Sequence, residues 1–381
     1  SYDLAGPAPK SKLHYRNLEN DEALGGMRRP DRSVHTSPGY RSVGQRIFDM
    51  GEAFIKSNPK SLDIVQDLRA GKVVTGFPDD MVAAFRDSLF EVLGSSAPPT
   101  SHGPDPDLIE CWGKAVGDQD AAGILPGWLR HGAPIGILEH IDVANVFPSV
   151  IPEDIAYSPY SLYSEFAGWS NYASAEEEPQ VVADLLQAQA DKGHCKFFDD
   201  MPSLCEYLGV ESVVLTKLAL ITKPKADGTL KHRLIWDLLR SEVNGTVTLT
   251  ERIVLPRIQD AVDDARHIRN ATALPLEWLV LDIADAFHNI PMRDSERRFA
   301  CGVVNGRLVV FEVLCMGGRS APNIWGRYAA LLGRMLASIF CPDEFRNEIF
   351  VDDPLMAAAG TEERRDIIFT IALLFMQATG F

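Results

Sequence analysis

The sequence has no stretch apolar enough to cross a bilayer. Its longest candidate, "IIFTIALLFM" from Ile367 to Met376, is shorter than the roughly 18 residues a spanning helix needs and reads as a buried helix. No secretory leader is visible, because the opening "SYDLAGPAPK" is polar, without an apolar core. It also lacks a starting Met, so a processed chain or a fragment is the expectation. The six cysteines, Cys111, Cys195, Cys205, Cys301, Cys315 and Cys341, are scattered, and no pair has a zinc-ligand spacing. His194 beside Cys195 is suggestive only in isolation. Free thiols in a reducing compartment follow, and with them an intracellular location, cytoplasm or nucleus, and no membrane partner. Internal repeats and low-complexity tracts are absent.

A basic excess is lacking too. The formal charge of −16 runs against phosphate binding, which calls for Lys and Arg. Its distribution changes the reading. Residues 61–200 hold 7 Lys and Arg against 23 Asp and Glu, whereas residues 201–381 hold 20 against 23. The acid excess lies in the middle segment, so the overall charge is weak evidence against a nucleic-acid partner.

The 381 residues suffice for two or three domains. Residues 1–45, rich in Gly, Pro and Arg, read as an irregular arm. Residues 46–205 read as a mostly helical region. "SLDIVQDLRAG" and "PDDMVAAFRDSLFEVLG" repeat apolar residues every three or four positions and end in Gly, and "SAEEEPQVVADLLQAQADKG" carries acid in its first turn. From about 206 the pattern changes. "VVLTKLALITKPKADGTLKHRLIWDLL" reads as two strands around a turn at Asp227-Gly228. "LPRIQDAVDDARHI" is helical, and "EWLVLDIADAF" is a strand entering a turn. "FACGVVNGRLVVFEV" is a hairpin tipped by Asn305-Gly306. A long helix, the hairpin "NEIFVDDPLMAAA" and a last helix follow. This order predicts an α+β unit, an antiparallel sheet with helices on one face.

Two adjacent aspartates inside an apolar hairpin, Asp352 and Asp353, pose the functional question. Asp suits turns, so a plain structural turn is one answer. A magnesium site is the other, since hard cations take carboxylate oxygens, but it needs a third carboxylate. Asp282 supplies one, because the buried strand "WLVLD" runs straight into its charge and packing does not explain it. Asp285 follows three residues later, where capping the turn is the competing role. Three carboxylates on two strands form a ligand set for two divalent cations about 4 Å apart.

"LDIADAFHNIPM" resembles the first catalytic motif of reverse transcriptases, and "FVDD" resembles their metal-binding hairpin. "CMGGRSAPNIWGR" is similar to the Gly and Ala-Pro motif that opens the helix under template and primer. "TKPKADGTLKHRLIWDLLRSEVN" is similar to the fingers hairpin. These occur in family order over 132 residues, from Thr222 to Asp353. The flavour is that of eukaryotic retroelements, and "WLRHGAPIGI" and "NVFPSV" look like their upstream segment.

The resemblance implies right-hand polymerase fingers and palm over 206–381, and RNA-directed DNA synthesis on an RNA or DNA template with primer from deoxynucleoside triphosphates. It implies two Mg²⁺ ions (Mn²⁺ as a substitute) on Asp282, Asp352 and Asp353, with Ile283 adjoining. Lys223 and Arg233 would grip the triphosphate, with Lys225 competing for the first role. Asp285, Ala286 and Phe287 would line the nucleotide, with Phe287 as a gate against a 2′-hydroxyl or, alternatively, a plug in the palm core. Gly317 would admit the nucleotide closely. Departures exist. Cys315-Met316-Gly317 replaces the usual Pro-containing triplet, Gly318 replaces an apolar residue, and the longer spacing in "DLLRSEVN" leaves Arg240 and Asn244 without firm roles. The chain ends 28 residues after Asp353, before a thumb, RNase H or integrase pattern, which implies a truncated core or a piece of a longer element. Two rivals remain: an RNA-dependent RNA polymerase, and a domesticated, inactive relative that binds RNA or protein. Oligomeric state is open.

Overall fold

A computed structural model describes residues 38–99, 103–150, 158–225 and 227–381. Most of the expected arm lies outside them. The first helix, α1 (Pro38–Ser57), begins inside the stretch read as arm, with Pro at its start, where its missing N–H costs nothing. Val43, Ile47, Phe48 and Ile55 form its buried stripe. Helices α2 (Asp79–Val92), α3 (Pro106–Val116) and α4 (Leu125–His131) follow. Asp105 caps α3 by accepting from the amides of Asp107 and Leu108, and Gly117 ends it at φ +80°. Further on, the expected acidic helix is split. Pro179 starts α5 (Pro179–Asp191) afresh, and a short turn of helix, Ala173–Glu176, precedes it.

The described residues are α+β, with three small antiparallel sheets in place of the single sheet expected. Strand β1 (Cys195–Phe198), in the region read as helical, captures the hairpin β5 (Cys301–Val304) and β6 (Arg307–Phe311) into the order β1-β6-β5. Strands β2 (Leu218–Pro224) and β3 (Leu230–Trp236) pair alone. Strands β4 (Leu276–Val280), β7 (Phe345–Phe350) and β8 (Asp353–Ala359) form the third sheet, ordered β4-β8-β7.

Strand alternation gives this third sheet two faces. Leu279, Met356, Phe345 and Ile349 join the main core beneath helices α7 (Ala321–Ile339) and α8 (Glu362–Ala378). On the opposite face Ala357, Ala359 and Leu276 pack with Ile268 of α6 (Ile258–Thr272), so helices lie on both faces rather than one. Beyond α6 that second face opens, leaving Val280 62% and Phe350 51% exposed.

Helix α7 joins the two regions. A Cβ on Gly44 of α1 would stand 1.8 Å from the Ser338 carbonyl oxygen of α7, so only glycine permits this approach. Arg327 of α7 is fully buried. Its guanidinium pairs with Asp120 in a π-helical turn, donates to the Asp142 carbonyl at 2.7 Å and lies 4.3 Å from the Trp128 ring centroid. Two turns further along, Arg334 donates to Asp118 at 2.9 Å, and the Tyr40 hydroxyl donates to the same carboxylate. Burial alone would raise the Asp118 pKa, but the Arg334 charge, the Ala121 amide and the Tyr40 hydroxyl together outweigh it and hold the carboxyl below its usual range.

Removing one partner of a buried pair strands the other charge. Asp120→Ala should therefore cost about 3–5 kcal/mol in urea unfolding, and the double variant Asp120→Ala/Arg327→Met should recover most of it. Equal losses in both proteins would remove the pair from the stability argument.

Candidate active site

The ladder between β4 and β8 runs past its last regular pair, Val280 with Leu355. The Leu281 amide donates to the Pro354 carbonyl at 3.0 Å, and the Ile283 amide to the Asp352 carbonyl at 2.8 Å. These bonds leave Asp282 opposite Asp353 as a non-hydrogen-bonded cross-strand pair, the kind whose Cβ atoms approach to about 4.5–5.5 Å. Both side chains are exposed on the open face of the sheet, and Ile283, on the other face, is buried in the main core. Asp352 sits in the hairpin turn and is partly exposed.

The backbone thus brings the three aspartates to one sheet edge. Their side-chain rotamers do not close into a cage: among the described residues no three His, Cys, Asp or Glu side chains form a ready metal-holding group. The turn itself is strained. Val351 holds φ +59°, a left-handed conformation that costs a β-branched residue about 1–3 kcal/mol. The indole N–H of Trp325 donates to its carbonyl at 2.7 Å.

The β2–β3 hairpin forms as expected, with Asp227 accepting from Thr229 in its turn. Lys223 pairs with Lys231, and Arg233 with Ile221. By alternation Lys223 and Arg233 share the face that carries Ala219 and Ile235. Both are exposed, and among the described residues neither pairs with a carboxylate. Ala219 and Ile235 line a cleft of about 460 Å³ together with Trp236, Asp237, Leu239, Asn244 and Gly317. Gly317 takes φ +104°, and a Cβ there would meet the Trp236 carbonyl oxygen at 2.9 Å. Asn244 clamps this loop, donating to the Gly317 carbonyl at 3.0 Å and accepting from the Arg319 amide at 2.8 Å. In the same cleft Asp237 accepts from the Tyr172 hydroxyl, which holds its carboxyl below the ordinary range. Arg240 contributes its backbone amide to Asp237.

Asp285 adopts φ +53° at the entry to the turn Ala286–Asn289. It pairs with Lys192 at 2.5 Å. Burial opposes its ionisation, but the Lys192 ammonium outweighs burial and lowers its pKa. Ala286 is buried, and half-buried Phe287 packs against the main core, a position compatible with plug or gate. His288 and His194 rings lie 5.0 Å apart. Burial lowers the His288 pKa to about 4, and the neighbouring His194 adds to that. Lys192 and Trp325 carry no signal in local sequence, and the motif that holds Asn244 gives no hint of the Gly317 loop, because each meets its partner only through the fold.

No family model matches the chain, and no curated protein is similar to it. The chain is similar to solved structures of foamy virus protease-reverse transcriptase. The native prototype foamy virus protein is 17% identical over 60% of this chain and 26% of that one, with a TM-score of 0.37. The foamy viral dRH form in complex with double-stranded DNA gives 17%, 60%, 34% and 0.39. A mutant of the prototype foamy virus protein, labelled CSH, gives 18%, 60%, 26% and 0.37. The chain spans about a third or less of the length of these proteins. At such scores the likeness is loose and decides nothing about the site. No helix of the described residues is long and apolar enough to cross a membrane.

A His with a lowered folded pKa takes up its proton more readily when unfolded, so its contribution is intact above about pH 6.5 and is lost as pH falls toward 4. The expected loss across that window is about 3 kcal/mol. In His288→Phe the pH dependence of the urea midpoint should flatten by that amount, and an unaltered profile would show His288 already solvated.

Proposed function

We propose that this chain is the fingers and palm of an RNA-directed DNA polymerase of a eukaryotic retroelement, joined to a helical region that braces the palm. The observation that carries the reading is the hydrogen bond from the Ile283 amide to the Asp352 carbonyl. It brings the end of the strand "WLVLD" onto the hairpin "FVDD", so the two sequence motifs that share no local pattern become neighbours.

The donor set suits a hard divalent cation: three carboxylates at one sheet edge, two of them exposed on its open face. Asp282, Asp352 and Asp353 would hold Mg²⁺, with the Ile283 backbone alongside. When bound, the ions supply charge neutralisation for nucleotidyl transfer to a primer 3′-hydroxyl. Arg233 and Lys223 bind the triphosphate from the fingers, Arg as a two-pronged donor and Lys as a point charge. Their shared face leads into the cleft against Gly317, where the bare backbone lets a nucleotide approach. Asp285 and Ala286 form the turn beneath the triphosphate, with Asp285 holding Lys192 beside it. Phe287 lies under the sugar and excludes a 2′-hydroxyl. Template and primer lie across the open sheet face.

Mg²⁺-dependent binding of a deoxynucleoside triphosphate, followed by primer extension, tests the reading. Asp282→Asn should abolish both while circular dichroism stays native. Arg233→Ala should raise KM for the nucleotide by roughly 10- to 100-fold with little change in metal affinity. If the chain binds nucleotide without Mg²⁺, or binds none, the domesticated, inactive relative becomes the better account. Phe287→Val should narrow the preference for deoxy- over ribonucleotides by roughly tenfold or more. A Phe acting as core plug would instead cost stability and leave that ratio alone.

A further inference from the structure

Val351 is the first residue of the turn in the Asp hairpin and the one β-branched member of that turn. Its φ of +59° is a conformation a β-branched residue avoids, so something must hold it. One hydrogen bond comes from β4, the Ile283 amide on the Asp352 carbonyl. The other comes from the opposite side, the Trp325 indole N–H on the Val351 carbonyl at 2.7 Å.

Trp325 is fully buried near the start of α7. Its ring stacks on Tyr328, with centroids 6.5 Å apart and planes at 24°, and has Phe381 at 6.3 Å on another side. The donor therefore has little freedom to leave the carbonyl. Such a pairing is not automatic for a buried indole here: the Nε1 atoms of Trp112 and Trp169 have no partner among the described residues. Gly317 and its loop lie a few residues upstream of Trp325, so one helix start carries both the loop at the cleft and the strut under the aspartates.

We infer that Trp325 is a positioning residue, whose indole N–H holds the strained Val351–Asp352 turn in the form that presents Asp352 and Asp353 to a divalent cation. The part concerning the cation rests on the polymerase reading; the part concerning the turn does not. Glycine adopts φ near +60° without strain. A strut against strain becomes dispensable once the strain is gone, whereas a ring that merely fills the core does not.

The experiment uses the full chain in four forms: unaltered, Trp325→Phe, Val351→Gly, and both together. Amide exchange of residues 348–354 and Mn²⁺ affinity by electron paramagnetic resonance are measured for each. Trp325→Phe should speed exchange of this segment roughly tenfold while distant segments keep their protection, and should weaken Mn²⁺ binding about tenfold or more, as for a residue that orients metal ligands. Adding Val351→Gly should restore at least half of that affinity. Should Trp325→Phe fail to fold, Trp325→3-benzothienylalanine keeps the ring shape and deletes only the N–H. Unchanged exchange over 348–354, or a metal loss that Val351→Gly does not relieve, would overturn the inference. An unaltered chain with no Mn²⁺ affinity would instead remove the two-metal reading, and the exchange arm would still decide whether Trp325 holds the turn.

Discussion

A guanidinium sealed from water constrains everything around it. Arg327 is fully buried, and an unpaired charge there would be prohibitive, so the surrounding chain is arranged to answer it. Asp120, the Asp142 carbonyl and the Trp128 face all converge on it. This fixes the rotation of α7 about its axis. At about 100° per residue, Trp325 lies two positions back and points to the other side, toward the Asp hairpin. The helix that anchors the N-terminal layer by one face thus sets the aspartate turn by the other.

The same pairs explain a puzzle in the charge. Residues 61–200 hold the whole acid excess of the chain. Two of those acids, Asp118 and Asp120, are not surface field but internal partners of Arg334 and Arg327 on α7, and Asp105 is likewise spent on Arg86. Formal charge counted along the chain therefore overstates how acidic the middle region looks from outside. The reverse holds at Glu296, fully buried but surrounded by the amides of Ile135, Ile137, Leu138 and Glu139, where backbone dipoles do the work of a counter-ion.

What could be read in advance was local. Asn305-Gly306 takes positive φ at both residues, as its dipeptide implies for a tight hairpin, and the strand, turn and hairpin around Asp282 and Asp352 lie where alternation put them. The α+β class and the β2–β3 hairpin were legible for the same reason. Strand β1 was not. Cys195–Phe198 is too short to show a period, and it becomes a strand only because β6 offers an edge. The single sheet failed with it, since the hairpin of β5 and β6 left to pair there. The Gly317 loop as the partner of Asn244, Lys192 on Asp285 and Trp325 under Val351 were equally hidden. Each joins residues tens of positions apart through one side chain, and a lone polar residue has no pattern to betray its partner.

The contact of Gly44 with the Ser338 carbonyl has a practical side. A piece trimmed to the recognisable motifs, starting near Ser212, would keep the three aspartates, the β2–β3 hairpin and the Gly317 loop. It would also strip Lys192 from Asp285 and Tyr172 from Asp237, and lay bare the flank of α7 on which α1 now rests, with Arg327 and Arg334 deprived of their carboxylates and the Tyr328 hydroxyl of the Leu125 carbonyl. The smallest unit that could be made in isolation therefore reaches back to the helix at Pro38, and the boundary suggested by motif alone would cut through the interior of the molecule.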